Sequence, residues 1–192
     1  LKKLLYKFET IEVLVTISRS LKAKQLDLTH RLNFNLKQQD QLIIDNKKIK
    51  QLIALDYKNL TGYKKRLEGI IETLKSNNIT PIIITHPALW GGKIDPSTGI
   101  NLQKILVSRR MGNEKKINGI LAWETLKTYN DVSIEVARNL NIEYIDLANL
   151  LEKDSKYYWD FIHYSIEGNK KIAEIIFPKI QDILNKLINS KK

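Results

Sequence analysis

A run of β-branched residues without polar alternation, Ile82-Ile83-Ile84-Thr85, constrains the fold of this chain more than any other feature. Such a run is typical of a strand that is buried on both faces, as the strands of parallel sheets are. Pro81 fits the first position of a strand, because no ladder hydrogen bond is lost there. A second strand is predicted at 142–146, so the chain should contain a parallel sheet whose strands are joined by a helical crossover.

Amphipathic helices are predicted on either side of these strands. Apolar residues at three- and four-residue spacing predict helices over about 56–77, 119–140 and 165–188, with a shorter helix at 147–151. Pro178 is expected to kink the last of them. The order helix, strand, helix, strand, helix indicates parallel pairing through a right-handed crossover. The predicted fold is therefore α/β, with a flavodoxin-like parallel sheet and helices on both faces.

The predicted sheet is incomplete. Two strands are fewer than a doubly wound sheet normally has, and we expect the missing N-terminal strands upstream of Leu1. Residues 1–24 have the apolar spacing of an amphipathic helix, whereas 25–56 are polar and are predicted to form an irregular insertion. The chain is interpreted as one partial α/β domain, in which 1–55 is helix plus insertion and 56–190 is the carboxyl-terminal part.

Composition excludes several classes of protein. The 192 residues include no cysteine, which excludes a disulfide framework and thiolate chemistry. They also include no apolar stretch that approaches the roughly 20 residues of a membrane span. The first residues lack the features of a signal peptide, so the compartment is left open. The net charge of +11 comes mostly from scattered lysines without an arginine cluster. No specific nucleic-acid partner is therefore expected.

The pair with the most chemical content is Asp160 and His163. At this spacing the carboxylate can accept a hydrogen bond from the imidazole Nδ1–H, which fixes the tautomer and leaves Nε2 as the basic nitrogen. The pair follows the second strand, at the carboxyl end of the predicted sheet, where open parallel sheets bind ligands. Thr85, His86 and Asp146 are expected at the same rim. A second interpretation stays open, namely a surface-loop histidine at the cap of the last helix.

The block Asp160-Phe-Ile-His163-Tyr-Ser-Ile-Glu-Gly168-Asn169 resembles the last conserved block of the SGNH (GDSL-type) hydrolases. Segments 63–90 and 129–147 are similar to helix–strand units of that family, so the resemblance covers about 56–180. It implies a Ser-His-Asp triad in which His163 is the general base and Asp160 orients it. It further implies hydrolysis of a small-molecule, carbohydrate or lipid ester through an acyl-enzyme, with no metal and no organic cofactor.

The chain does not match the family's nucleophile and oxyanion donors. The family's serine lies in a Gly-Asp-Ser block and its oxyanion hole uses the Asn of a Gly-x-Asn-Asp block, and this chain has neither block. The nearest candidates fail on sequence: Ser18, Ser20, Ser97, Gly112-Asn113-Glu114 and Asn130-Asp131. Only Asp160 and His163 are therefore carried over as catalytic, with His86 as a weaker substrate-binding candidate. We expect a fragment without its nucleophile, which by itself is not an efficient esterase.

Two rival interpretations stay open. The first is a non-catalytic, basic α/β interaction module that binds an anionic partner, in which Asp160 and His163 form a structural turn. The second is a natural short form that recruits a serine from another chain. His30 is interpreted as a solvated side chain without a metal role. The substrate and the oligomeric state are not indicated by the sequence.

Overall fold

Helices and two small sheets make up the part of the chain that the structure describes. The computed structural model describes Ile17, Ser18, Leu21 and residues 35–92, 94–108 and 117–189, without the side chains of 55–58. Those three early residues are helical, whereas the rest of the predicted first helix lies outside the described residues, as do Ser20, His30 and 112–114. The chain divides after Phe34 into two units, and the elements below belong to the unit Asn35–Lys192.

The helices and strands that the sequence predicts from about residue 56 onward occur in the predicted order, with two further strands between the first predicted strand and the helix after it. The helices are α1 (Asn46–Ser76), α2 (Gly119–Asn139), α3 (Leu147–Leu150) and α4 (Ile166–Asn189), and Pro178 lies inside α4. The strands are β1 (Ile82–Ile84), β2 (Leu106–Ser108), β3 (Ile117–Asn118) and β4 (Glu143–Ile145). Single 3-10 turns lie at Leu36–Gln38 and Ser155–Tyr157.

The start of α1 corrects the sequence prediction. An irregular insertion is predicted over 25–56, but the helix begins at Asn46. Ile49, Leu52 and Ile53 have the spacing of one helix face, and Ile49 is only 5% exposed. This face packs against a cluster formed by Ile117, Leu121 and Ala122. Tertiary packing therefore stabilises a helix over 46–56, where three Lys residues and one Gln leave only a short apolar period in the sequence.

The predicted parallel pairing is confirmed. Strand β1 pairs with β4 in parallel, with Ile82 opposite Glu143 and Ile84 opposite Ile145. The chain is thus a mixed α/β protein with a small two-stranded parallel sheet. The expectation that β1 is buried on both faces is wrong for the described residues, because Ile84 is 44% exposed. On the neighbouring strand β4, by contrast, Ile145 is only 2% exposed. Among those residues β4 is the only strand beside β1, so one edge of β1 has no strand next to it.

A second, antiparallel sheet was not predicted. Strands β2 and β3 are antiparallel and lie in a stretch to which the sequence analysis assigns no element. Both strands are too short for a two-residue period to show. Their connection to α2 is tight, since a Cβ on Gly119 would lie 1.9 Å from the carbonyl oxygen of Leu102. The sheet thereby anchors the start of α2, the helix that leads back to the parallel sheet.

Candidate functional site

Strands β1 and β4 are tied together where they end. The Thr85 hydroxyl donates to Asp146 Oδ1 at 2.8 Å and accepts from the backbone N–H of Ala148 at 2.9 Å. Thr85 is only 2% exposed and its contact with Ala148 is buried, in an environment where hydrogen bonds are strong. The predicted rim of Thr85 and Asp146 is therefore present, and it fixes the places from which the two following loops leave the sheet.

The Asp160–His163 pair has the predicted hydrogen bond. His163 Nδ1 lies 2.7 Å from Asp160 Oδ2, and a carboxylate can only accept, so Nδ1 carries the proton. The other carboxylate oxygen, Oδ1, accepts from the backbone N–H groups of Ile162 and His163, both at 2.8 Å. In this tautomer Nε2 has the lone pair. The arrangement thus holds an imidazole in the form that a general base requires.

These hydrogen bonds also set the charge of the carboxyl group. Partial burial acts to raise the pKa of Asp160, but the backbone N–H groups of His163 and Ile162, followed by the His163 imidazole, hold that pKa below its usual range. Asp160 is therefore ionised at neutral pH. An ionised carboxylate beside Nδ1 stabilises the imidazolium that forms when Nε2 takes up a proton.

The loop that carries this pair, called the Asp160–His163 loop below, ends in a helix cap at the start of α4. Ser165 Oγ accepts from the backbone N–H of Gly168 at 3.0 Å and donates to the carbonyl of Lys156 at 2.6 Å. Gly168 is needed for close approach, because a Cβ there would lie 1.9 Å from the carbonyl oxygen of Tyr157. The capping interpretation of this segment is thus correct for Ser165, and it is compatible with the Asp160–His163 hydrogen bond.

The structure places His86 near His163, at the end of β1. The side chain of Asn130 holds the backbone of His86 on both sides: its Oδ1 accepts from the His86 N–H and its Nδ2 donates to the His86 carbonyl, each at 3.0 Å. Burial, together with the charge on His163, lowers the pKa of His86. The imidazole of His86 is therefore neutral at neutral pH.

A loop after β1 meets the loop that carries the pair. The backbone N–H of Leu89 donates to the carbonyl of Phe161 at 2.9 Å, and the rings of Trp90 and Phe161 lie 5.9 Å apart. Trp90 Nε1 is buried, and no hydrogen-bond partner for it is found among the residues that the structure describes. These contacts place the β1 loop and the Asp160–His163 loop side by side at the carboxyl end of the sheet.

Two buried carboxylates hold the segment that precedes the loop. Asp95, which is 0% exposed, accepts from the backbone N–H and the hydroxyl of Ser155 at 2.7 and 2.8 Å, and also from the hydroxyl of Thr98. Asp154 in turn accepts from the hydroxyl of Ser97 and forms an ion pair with Lys156 at 2.9 Å. The 95–99 segment is therefore docked on the chain just before the Asp160–His163 loop.

Five serine hydroxyl groups in the described residues are engaged elsewhere. Their partners are Thr73 for Ser76, Asp154 for Ser97, Tyr63 and Tyr129 for Ser133, Asp95 for Ser155, and Lys156 with Gly168 for Ser165. A nucleophilic serine needs its hydroxyl hydrogen-bonded to the base instead. None of these five has the contacts of a nucleophile, which agrees with the absence of a Gly-Asp-Ser block from the sequence.

Sequence reasoning missed three side chains of this region: Asn130, Lys153 and Asp95. Asn130 is set aside in the sequence as part of an incomplete motif, yet it is 7% exposed and fixes the backbone of His86. A signal was available, since Asn130 lies four residues after Leu126, on the apolar side of the predicted helix. A polar residue on such a face needs a partner in the core.

Comparison with known proteins gives no match to a family model, a curated protein or a solved structure. Within the described ranges no group of three or more His, Asp and Glu residues could hold a metal ion. The helices of the same ranges include none that is long and apolar enough to cross a membrane.

Proposed function

We propose that Asp160 and His163 are the orienting acid and the general base of an SGNH-type serine hydrolase that cleaves esters through an acyl-enzyme. The observation that carries the proposal is the 2.7 Å contact between His163 Nδ1 and Asp160 Oδ2, with the second carboxylate oxygen fixed by two backbone N–H groups. The sequence block around the pair supports the assignment to this class.

In the proposed reaction His163 Nε2 takes the proton of a serine hydroxyl while the serine oxygen bonds to the ester carbonyl carbon. The imidazolium then gives its proton to the leaving alkoxide, so that an alcohol departs and an acyl-serine remains. In the second half, Nε2 takes a proton from water, whose oxygen bonds to the acyl carbon. The imidazolium then gives that proton to the serine oxygen as its bond to the acyl carbon breaks, so that a carboxylic acid departs and the serine is restored. Asp160 stays ionised throughout and stabilises each imidazolium.

The serine and the oxyanion donors are proposed to come from a segment outside the described residues, encoded upstream of Leu1. Two surfaces support this: the edge of β1 beside which the described residues place no strand, and an apolar stripe on α4. Phe177, Leu184 and Ile188, at seven- and four-residue steps on α4, are 66%, 52% and 57% exposed. A segment that adds strands beside β1 would complete a flavodoxin-like sheet with helices on both faces and cover apolar surface.

The proposal is tested on a polypeptide extended upstream of Leu1, with p-nitrophenyl acetate as substrate. His163→Ala should lower turnover by at least about 10³-fold, because the base acts in both halves of the reaction. His30→Ala is the matched control and should leave turnover unchanged. A fluorophosphonate probe should label one serine upstream of Leu1, as identified by mass spectrometry.

Two results would overturn the proposal: turnover that His163→Ala does not change, or labelling that fails in an extended polypeptide of normal fold. The rival interaction module makes a different prediction. It should bind anionic vesicles or DNA with an affinity that falls steeply as salt is raised. The hydrolase should show ester turnover without such binding.

A further inference from the structure

Lys153 is a partly buried lysine that the proposed reaction does not use. Its Nζ donates to the carbonyl of Ala88 at 2.8 Å and lies over the ring of Trp123, 3.3 Å from the ring centroid. Its aliphatic part packs against Gly92, where a Cβ would lie 3.0 Å from Lys153 Cβ. Burial lowers the pKa of Lys153 to about 7. A charge in such a partly buried place costs stability unless it is hydrogen-bonded, and the Ala88 carbonyl supplies that hydrogen bond.

The acceptor of Lys153 belongs to a peptide group with a second contact. The Ala88 carbonyl accepts from Lys153 Nζ, and the N–H of the same peptide group, on Leu89, donates to the carbonyl of Phe161 at 2.9 Å. Ala88 and Leu89 are both 0% exposed. A donor at the carbonyl polarises the whole amide, so the hydrogen bond made by its N–H becomes stronger.

This second contact matters because the hydrogen bonds of the Asp160–His163 pair are local. They join residues within the loop, so they fix the geometry of the pair but not its place relative to β1. The Leu89–Phe161 hydrogen bond is a link between the loop and the β1 rim, and it reaches the residue next to Asp160.

We propose that Lys153 is a positioning residue, which holds the Asp160–His163 loop against the β1 rim through the Ala88–Leu89 peptide group. Its importance for catalysis rests on the proposed hydrolase function, whereas the positioning itself does not. The experiment below therefore measures the loop and not ester turnover, so that a failure of one proposal leaves the other standing.

The first measurement is amide hydrogen exchange of Leu89 in the 192-residue chain at pH 6, below the pKa of Lys153. Lys153→Met keeps most of the side-chain volume and removes the donor, so Leu89 should exchange at least about tenfold faster than in the wild type. The matched control is Lys127→Met, because Lys127 is an exposed lysine paired with Asp131. It should leave Leu89 exchange unchanged.

The second measurement needs no variant and so does not depend on whether Lys153→Met folds. In the wild type, the carbon-13 shift of Lys153 Cε gives the titration midpoint of its amine. The carbonyl carbons of Ala88 and Phe161 should shift with that same midpoint, which a purely space-filling lysine would not produce. Carbonyl shifts that do not follow the Lys153 midpoint, or a folded Lys153→Met chain with unchanged Leu89 exchange, would overturn the proposal.

Discussion

The Asp160–His163 loop and helix α4 follow each other in the chain. The polar groups of the loop have hydrogen-bond partners, whereas the outer face of α4 exposes large apolar side chains. Both carboxylate oxygens of Asp160 accept hydrogen bonds, and Ser165 caps the helix that follows. On α4, by contrast, Phe177 is 66% exposed and Ile188 is 57% exposed. The polar half of this region has its partners, whereas the apolar half presents large side chains to solvent.

The difference shows which interactions a short stretch of sequence can form from its own residues. Hydrogen bonds between residues two or three positions apart need only the right local conformation, so the loop can form its base–orienter pair from its own residues. An apolar helix stripe is satisfied only by another surface. The predictions below test whether the first region is as tightly built, and the second as weakly covered, as this comparison indicates.

A large effect should come from Gly168→Ala. The added Cβ would lie 1.9 Å from the carbonyl oxygen of Tyr157, so the backbone that joins the loop to α4 must move. We expect the free energy of unfolding to fall by about 2–3 kcal/mol or more, as measured by urea denaturation. Gly69→Ala is the matched control in α1, because no atom lies within 4 Å of its added Cβ.

Gly69→Ala should raise the free energy of unfolding by about 0.5–1 kcal/mol, since alanine is the better helix former. Two substitutions of the same kind are thus expected to have opposite signs. If Gly168→Ala is as well tolerated as Gly69→Ala, the close approach of Gly168 to the Tyr157 carbonyl is contradicted.

An intermediate effect is expected from the pH dependence of stability at Lys153. Its amine titrates near 10.5 in the unfolded chain and about 7 in the folded chain. Between these values the unfolded state binds more protons, so this group makes the free energy of unfolding rise with pH. The contribution is fully present above about pH 10.5 and is lost as the pH falls to about 7.

Lys153→Met removes that contribution. The difference in the free energy of unfolding between pH 6 and pH 9.5 should therefore be smaller than in the wild type, by about 2–3 kcal/mol. Lys127→Met provides the control, because its ion pair with Asp131 raises the pKa of Lys127 above this range. Equal pH profiles for the wild type and Lys153→Met would show that Lys153 is not buried as described.

How much of the fold the sequence predicts depends on the length of each pattern. The β-branched run at 82–85 and the apolar period after residue 56 are long enough to indicate β1, α2, α4 and the parallel pairing, and these are present. The first turns of α1 and the strands β2 and β3 could not be predicted. Their apolar residues are few, and they become ordered only by packing on each other, as Ile49 does on Ile117.

The candidate site shows the same division between local and distant contacts. The Asp160–His163 hydrogen bond joins residues three positions apart, so spacing alone predicted it. The Asn130–His86 and Lys153–Ala88 contacts join residues 44 and 65 positions apart. No local pattern encodes such pairs, because they depend on how α2 and the β1 loop come together in three dimensions.

The smallest effect is expected on the apolar face of α4. Phe177→Gln should change the free energy of unfolding of the 192-residue chain by no more than about 0.5 kcal/mol, because the side chain is 66% exposed. Ile183 lies on the same helix but is 5% exposed, so Ile183→Ala should cost about 2–4 kcal/mol in the same urea titration.

Phe177→Gln also tests, in a longer protein, whether an added segment covers the apolar stripe of α4. In a polypeptide extended upstream of Leu1 that hydrolyses p-nitrophenyl acetate, Phe177→Gln should cost at least about 1 kcal/mol, because the added segment would cover the α4 stripe. The cost of Ile183→Ala should stay the same in both lengths. If Phe177→Gln costs equally little in the active, extended polypeptide, the nucleophile-bearing segment packs elsewhere and the α4 stripe serves another contact.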